Sequence, residues 1–121
     1  MLFRSSADTS AVILPVGAVI AEIQANAAGT GGTNPTFDLG FTLYSTGTAS
    51  PEALLNEADA DAGKQVFNWA TATVPGASLG AVMSTSELVY ITGRKGSSAA
   101  TGGSISGRIT YYVPTSGAYT A

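Results

Sequence analysis

At 121 residues the chain has the length of one domain and can build a hydrophobic core without staples. It contains no cysteine and no histidine, which excludes disulfides and thiolate chemistry and removes the commonest general base and metal ligand. A net charge of −3 with 11% charged residues argues against nucleic-acid binding, and about half of the residues are Ala, Thr, Gly or Ser, which suits close contact with neighbouring chains.

Residues 1–10 are polar apart from Leu2 and Phe3, and they predict an extended N-terminal arm. The apolar run 11–14 is a short first strand that Pro15 ends, since proline cannot donate to a ladder. Together the two stretches superficially resemble a secretory signal. Pro15, Gly17 and Glu22 interrupt the apolar run, so the expectation is neither a signal peptide nor a membrane span.

Residues 17–26 and 36–44 each alternate with period 2, the mark of a half-buried strand. In the first, Val19, Ala21, Ile23 and Ala25 share one face, and Ile20, Glu22, Gln24 and Asn26 the other. In the second, Phe37, Leu39, Phe41 and Leu43 face in, while Asp38 and Tyr44 face out. The intervening residues 27–35 are rich in turn formers, which predicts a long antiparallel hairpin.

Ser50-Pro51-Glu52 has the form of a helix start, with Ser as N-cap, Pro at the first helical position and Glu near the positive end of the dipole. Leu54, Leu55 and Ala58 would make its apolar stripe, so one short helix is expected near residues 51–60, ending before Gly63. Residues 65–70 read as a strand with Phe67 and Trp69 on one face. Residues 74–77 read as a turn, 87–92 as a strand, 93–103 as a long connection, and 104–113 as the last strand. In that last strand Ile105, Ile109, Tyr111 and Val113 face in, and Arg108, Thr110 and Tyr112 face out. Pro114 begins a polar tail. The pattern is all-β: an antiparallel β-sandwich, jelly-roll-like, over residues 11–113, with extended terminal arms at 1–10 and 114–121.

Motif by motif, chemistry recedes. Gly76, Ser78 and Gly80 match the nucleophile-elbow pattern, but that serine needs a histidine and there is none. Glu57, Asp59 and Asp61 alternate as calcium ligands can, yet a calcium loop from Asp59 would need a carboxylate where Ala70 stands. The cluster reads as a solvated helix end. Gly29, Gly31 and Gly32 lead into Asn34-Pro35 and a strand, not the helix a dinucleotide loop requires. Arg94-Lys95 reads as a solvated hairpin tip. Trp69 pairs by period with Phe67 and is expected in the core. Outward tyrosines more often mark an interface than a catalytic site. The expectation is therefore no enzyme, no catalytic residue, no cofactor and no metal. The candidate assembly residues are Leu2, Phe3, Arg4, Tyr44, Tyr112 and Tyr119.

One longer pattern is more specific. The run from Leu14 through Pro15, Gly17 and Ala18 to Ile20 leads into a strand. After a Gly-Thr-rich turn come Asn34-Pro35-Thr36-Phe37-Asp38-Leu39-Gly40, then residues 50–55, an Ala-Asp-Ala segment ending at Gly63, and an alternating strand near 109–113. This order resembles a group of small tailed-bacteriophage virion proteins over about residues 11–65. The resemblance implies a capsid decoration (cement) protein on the outer surface of the virion, assembled in the host cytoplasm. It also implies a dimer or trimer that binds and stabilises the lattice of major capsid protein, with no nucleic-acid or membrane partner. The other reading is a fibre or tail module that binds a receptor or glycan.

Overall fold

The computed structural model describes residues 2–4, 12–28, 31–32, 34–61, 63–68, 76, 78–96 and 103–114. Their alternating apolar positions give each strand one face to hide, and eight strands result. These are β1 (Leu2–Arg4), β2 (Ile13–Leu14), β3 (Val19–Ala28), β4 (Thr36–Leu43), β5 (Ala49–Asp59), β6 (Lys64–Asn68), β7 (Val89–Lys95) and β8 (Ser104–Tyr112). They form two four-stranded antiparallel sheets, one in the order β1-β8-β3-β6 and the other β2-β7-β4-β5. Ile20, Ile23, Phe67, Ile105 and Ile109 of the first sheet meet Leu14, Phe37, Leu39, Phe41, Leu54, Leu55 and Val89 of the second in a single core cluster. Burying each such side chain is worth about 1.5–3 kcal/mol, which is what holds two otherwise separate sheets together.

The two long alternating segments do not form a hairpin. β3 pairs with β6 and β8, whereas β4 pairs with β5 and β7. Two strands each with one oily face can pair edge to edge, or they can lie in different sheets with those faces opposed. Here the second arrangement buries both faces. Phe37, Leu39 and Phe41 point inward as their alternation predicts. In β3 the alternation breaks at a bulge between Ile20 and Glu22. Ala18 and Ile20 face the core before it, and Ile23, Ala25 and Ala27 after it, because one extra residue reverses the side-chain phase. Ile20, expected outward, is therefore fully buried.

The expected helix at 51–60 is instead the long strand β5. A two-turn helix is marginal in water, and β4 needs a partner along its second edge. The Ser50-Pro51-Glu52 signal opens a wide bulge. Phe41 pairs with Ser50 and Leu39 with Leu55, so residues 51–54 all stand against Gly40. Proline fits such a site because no ladder bond is asked of it there. The same irregularity explains why the consecutive residues Leu54 and Leu55 are both fully buried. A Cβ on Gly40 would lie 2.6 Å from the Pro51 carbonyl oxygen and closer still to that of Ser50, so only glycine admits this approach.

Gly76 and residues 78–84 strap the sheets together. Gly76 and Ser78 donate to the Leu54 and Ala53 carbonyls at the β5 bulge (2.9 and 2.8 Å). Gly80 and Met83 then donate to Ile20 of β3 and to Ala18 just ahead of it, both at 3.1 Å. Leu79 and Met83 reach the core. The strap thus covers the start of β3, ahead of the Glu22–Asn26 stretch that β6 covers.

Several boundaries differ from expectation, among them a β3 that runs to Ala28, into the expected turn. β7 runs on through Lys95, into the stretch expected to be a connection, because β4 supplies a pairing partner as far as Phe37. Val113, expected inward, follows the end of β8 and is exposed. Leu2–Arg4, within the expected arm, forms β1, with Leu2, Phe3 and Arg4 opposite Arg108, Gly107 and Ser106. Trp69, Tyr119, most of the expected arm and nearly all of the tail lie outside the described residues. No helix among the described residues is long and apolar enough to cross a membrane.

Candidate interaction surface

The outer face of the second sheet carries two constructions. The first is a polar brace. Asp38 and Arg94 are cross-strand partners on β4 and β7, on the face opposite Phe37 and Leu39. The Asp38 carboxylate, expected to be exposed, is instead 1% exposed, and each of its oxygens accepts a bond. Oδ1 accepts from the Glu57 backbone N–H at 2.8 Å, and Oδ2 accepts from Arg94 Nε at 2.9 Å. Arg94 Nη2 donates in turn to Glu52 Oε1 at 2.7 Å. A buried carboxylate is tolerable only when its oxygens are satisfied in this way. The bond from Asp38 raises the Arg94 pKa above its ordinary value, as do the charges of Asp38 and Glu52, against the opposing pull of desolvation.

Glu57 sits in the left-handed region at φ 59°, which costs a non-glycine residue about 1 kcal/mol or more. Its N–H bond to Asp38 and its carboxylate bond from the Thr36 hydroxyl hold it there. The brace therefore ties β4, β5 and β7 and holds a second irregularity of β5, between the Phe37–Ala58 and Leu39–Leu55 pairs. The acidic run 57–61 forms no metal cage: among the described residues no group of three or more His, Cys, Asp or Glu could hold an ion.

The second construction is apolar. Ile13, Tyr90, Thr42 and Ala49 stand side by side across β2, β7, β4 and β5. The Tyr44 ring sits 6.5 Å from that of Tyr90 at an interplanar angle of 90°, the edge-to-face arrangement aromatic pairs favour. Tyr44 is 57% exposed, and Ile13 and Leu88 are exposed beside this pair in the sequence and register. The turn bearing Tyr44 is tightly held. Tyr44 N–H donates to the Leu88 carbonyl, Leu43 N–H to Thr48 and Gly47 N–H to Leu43, all at 2.9 Å. Glu87 Oε1 accepts from the N–H groups of Ser45 (2.7 Å) and Thr46 (3.1 Å). Glu87 is itself fixed by its N–H bond to Ser84 Oγ. An exposed aromatic on so constrained a turn loses little entropy when something docks on it.

On the first sheet, Tyr112, Val19 and Val82 form an outer row across β8, β3 and the strap. Val19, expected in the core, is the middle of this row and is buried at 2% exposed, while Tyr112 is 52% exposed. Tyr44 and Tyr112 are thus both outward, but on the outer faces of different sheets. They belong to two surfaces and not to one site. Ile13, Leu88, Tyr90 and Glu87 were not among the candidate assembly residues. The phase of Val89 and Ile91 would have placed Tyr90 outside, but nothing local ties Glu87 to a turn some forty residues away in the chain.

Comparison with protein-family models, with curated proteins and with solved structures finds no match for this chain.

Proposed function

We propose that this chain is a structural virion protein of a tailed bacteriophage: a capsid decoration, or cement, protein. It works as a homo-oligomer on the outer capsid surface and stabilises the lattice of major capsid protein. The observation that carries the reading is the Tyr44 patch, a rigid and exposed aromatic–aliphatic surface on a sheet face whose neighbouring acid is consumed by a structural brace. Such a surface suits protein contact, where buried aromatic anchors dominate affinity.

The topology supports a jelly-roll reading of the sandwich. The pairs β1–β8, β2–β7, β3–β6 and β4–β5 are all antiparallel, as if one long hairpin had been rolled up. Jelly rolls serve in viral capsids and in lectins, so the fold alone does not choose between cement and glycan binding. The tyrosine pair favours cement. A sugar ring stacks flat on an aromatic face, and perpendicular rings offer no common plane. A second outward row at Tyr112 gives the molecule two attachment faces, and simultaneous weak contacts multiply in affinity.

Sedimentation of the full chain with purified particles lacking it tests this reading. Wild type should pellet with the particles, and Tyr44→Ala should bind about tenfold less tightly, the loss expected for an aromatic anchor. Equal retention of both proteins would remove the patch from the account. Failure of wild type to bind would remove cement function altogether.

A further inference from the structure

The outer row of the first sheet runs into a small apolar patch. Tyr112 and Val82 flank Val19 from opposite sides, and both are exposed while Val19 between them is not. Val113 and Val16 extend the patch past the end of the sheet, 44% and 40% exposed. The turn beneath them is held in place. Gly17 N–H donates to the Ser84 carbonyl at 2.8 Å, and Val113 Cγ1 lies 3.5 Å from where a Cβ on Gly17 would stand. The next row inward is polar, with Asn68, Glu22 and Thr110 side by side across β6, β3 and β8. Its one carboxylate, on half-buried Glu22, accepts from the Gln24 side-chain amide at 3.0 Å.

We propose that this patch is where two copies of the chain meet, across a two-fold axis that runs along β3 over Val19. Shape and size both select a second copy as the occupant. Such an axis lays each Tyr112 on the other copy's Val82, so one row supplies both halves of the contact, as an isologous interface requires. With about half of an aromatic's 150–250 Å² and smaller shares from three valines, the patch exposes on the order of 300 Å² of apolar surface per copy. Interfaces are somewhat over half apolar, so a contact centred here buries about 1,000 Å² over both copies, the smallest size expected of a specific one. The patch itself holds no charge for a charged partner to read, and a second copy brings none to its centre. The dimer is weak, with a dissociation constant on the order of 100 μM, which suffices where both copies are also held on a common surface. The contact supplies the copy-to-copy face of the homo-oligomer proposed above, and in that respect rests on that reading. It leaves Tyr44, beside Tyr90 on the other sheet, free.

The test is analytical ultracentrifugation of the full chain alone, from about 10 μM to about 1 mM. Wild type should pass from monomer to dimer over this range. Val82→Asp sets a charge against Tyr112 and should keep the chain monomeric throughout. Val66→Asp makes the same change at a site 59% exposed on the same sheet but outside the patch, and should dimerise as wild type does. Tyr44→Ala should also dimerise as wild type does. Tyr112→Lys should be monomeric alone, yet form dimers when mixed with Val82→Asp, because the two-fold then sets the introduced Lys against the introduced Asp at one contact and keeps the native pair at the other. Five results overturn the proposal: a wild type monomeric at every concentration, dimers that survive Val82→Asp, equal loss with Val66→Asp, loss with Tyr44→Ala, or no dimers in the mixture. The fourth would place the self-contact on the other sheet. Because no particles are present, a monomeric wild type overturns this contact without touching lattice binding, and failure to pellet with particles would leave the dimer standing.

Discussion

Replacing Gly40 with alanine tests the contact on which the second sheet depends. The added methyl would lie 2.6 Å from the Pro51 carbonyl oxygen, against an ordinary C···O approach of about 3.3 Å or more. The obstructing atoms are backbone, so no side chain can swing aside, and the β5 bulge itself must lift. The bulge is held from beyond by the Gly76 and Ser78 N–H bonds to Leu54 and Ala53, and by the Glu52 bond to Arg94. Overpacking of this kind costs about 1–3 kcal/mol, and each strap bond stretched or lost adds about 1 kcal/mol. A total of about 3–5 kcal/mol is a large part of the 5–15 kcal/mol typical of a domain, and it should lower the melting temperature by more than about 10 °C. Equilibrium unfolding in urea with a thermal scan measures it. Gly47→Ala is the control: its Cβ meets nothing within 4 Å, so only the strain of φ +74° remains, about 1–2 kcal/mol. Equal losses at the two positions, or a Gly40→Ala loss below about 1 kcal/mol, would mean that residues 51–54 do not pass over Gly40.

The other consequences concern the brace and the patch. Asp38→Ala removes the acceptor of the Glu57 N–H and a buried partner of Arg94, and should cost about 2–4 kcal/mol in urea unfolding. Glu87→Ala should cost under about 1 kcal/mol, since its bonds are solvent-exposed, yet weaken particle binding several-fold by freeing the Tyr44 turn. A loss of stability without a loss of binding would contradict that role. Because the Arg94 pKa is raised, the stability it confers is fully present below its ordinary value and is lost only above the raised one. Unfolding midpoints compared between about pH 7 and pH 9 should therefore show no loss from this pair, and a marked Arg94-dependent fall would sink the assignment.

The legible part of the fold was whatever repeated with period 2. Phe37, Leu39 and Phe41 on one side, and Ile105 and Ile109 on one side of β8, are placed by alternation alone. Three things were not legible, each because it depends on residues distant in the chain. The segments 17–26 and 36–44 carry equally oily faces whether they pair or oppose each other, so alternation cannot say that they lie in different sheets. Ser50-Pro51-Glu52 is a good helix start by local chemistry, and only the close approach to Gly40 makes it a bulge. Phase counting fails at bulges, so Ile20 was assigned to the wrong face. Of the candidate interface, Tyr44 and Tyr112 were visible as outward aromatics. Tyr90 and Ile13 join Tyr44 through β-register, and Glu87 through a contact across the fold, none of which has a local signature.

The proposed function is that this chain strengthens a capsid lattice from outside. The most direct measurement is the thermal disruption temperature of particles assembled without the chain, before and after its addition at saturating concentration, followed by release of the packaged genome. The account predicts a rise of several degrees with wild type, a smaller rise with Tyr44→Ala, and no rise with an unrelated acidic β-protein. An unchanged disruption temperature, with the chain demonstrably bound, would contradict it.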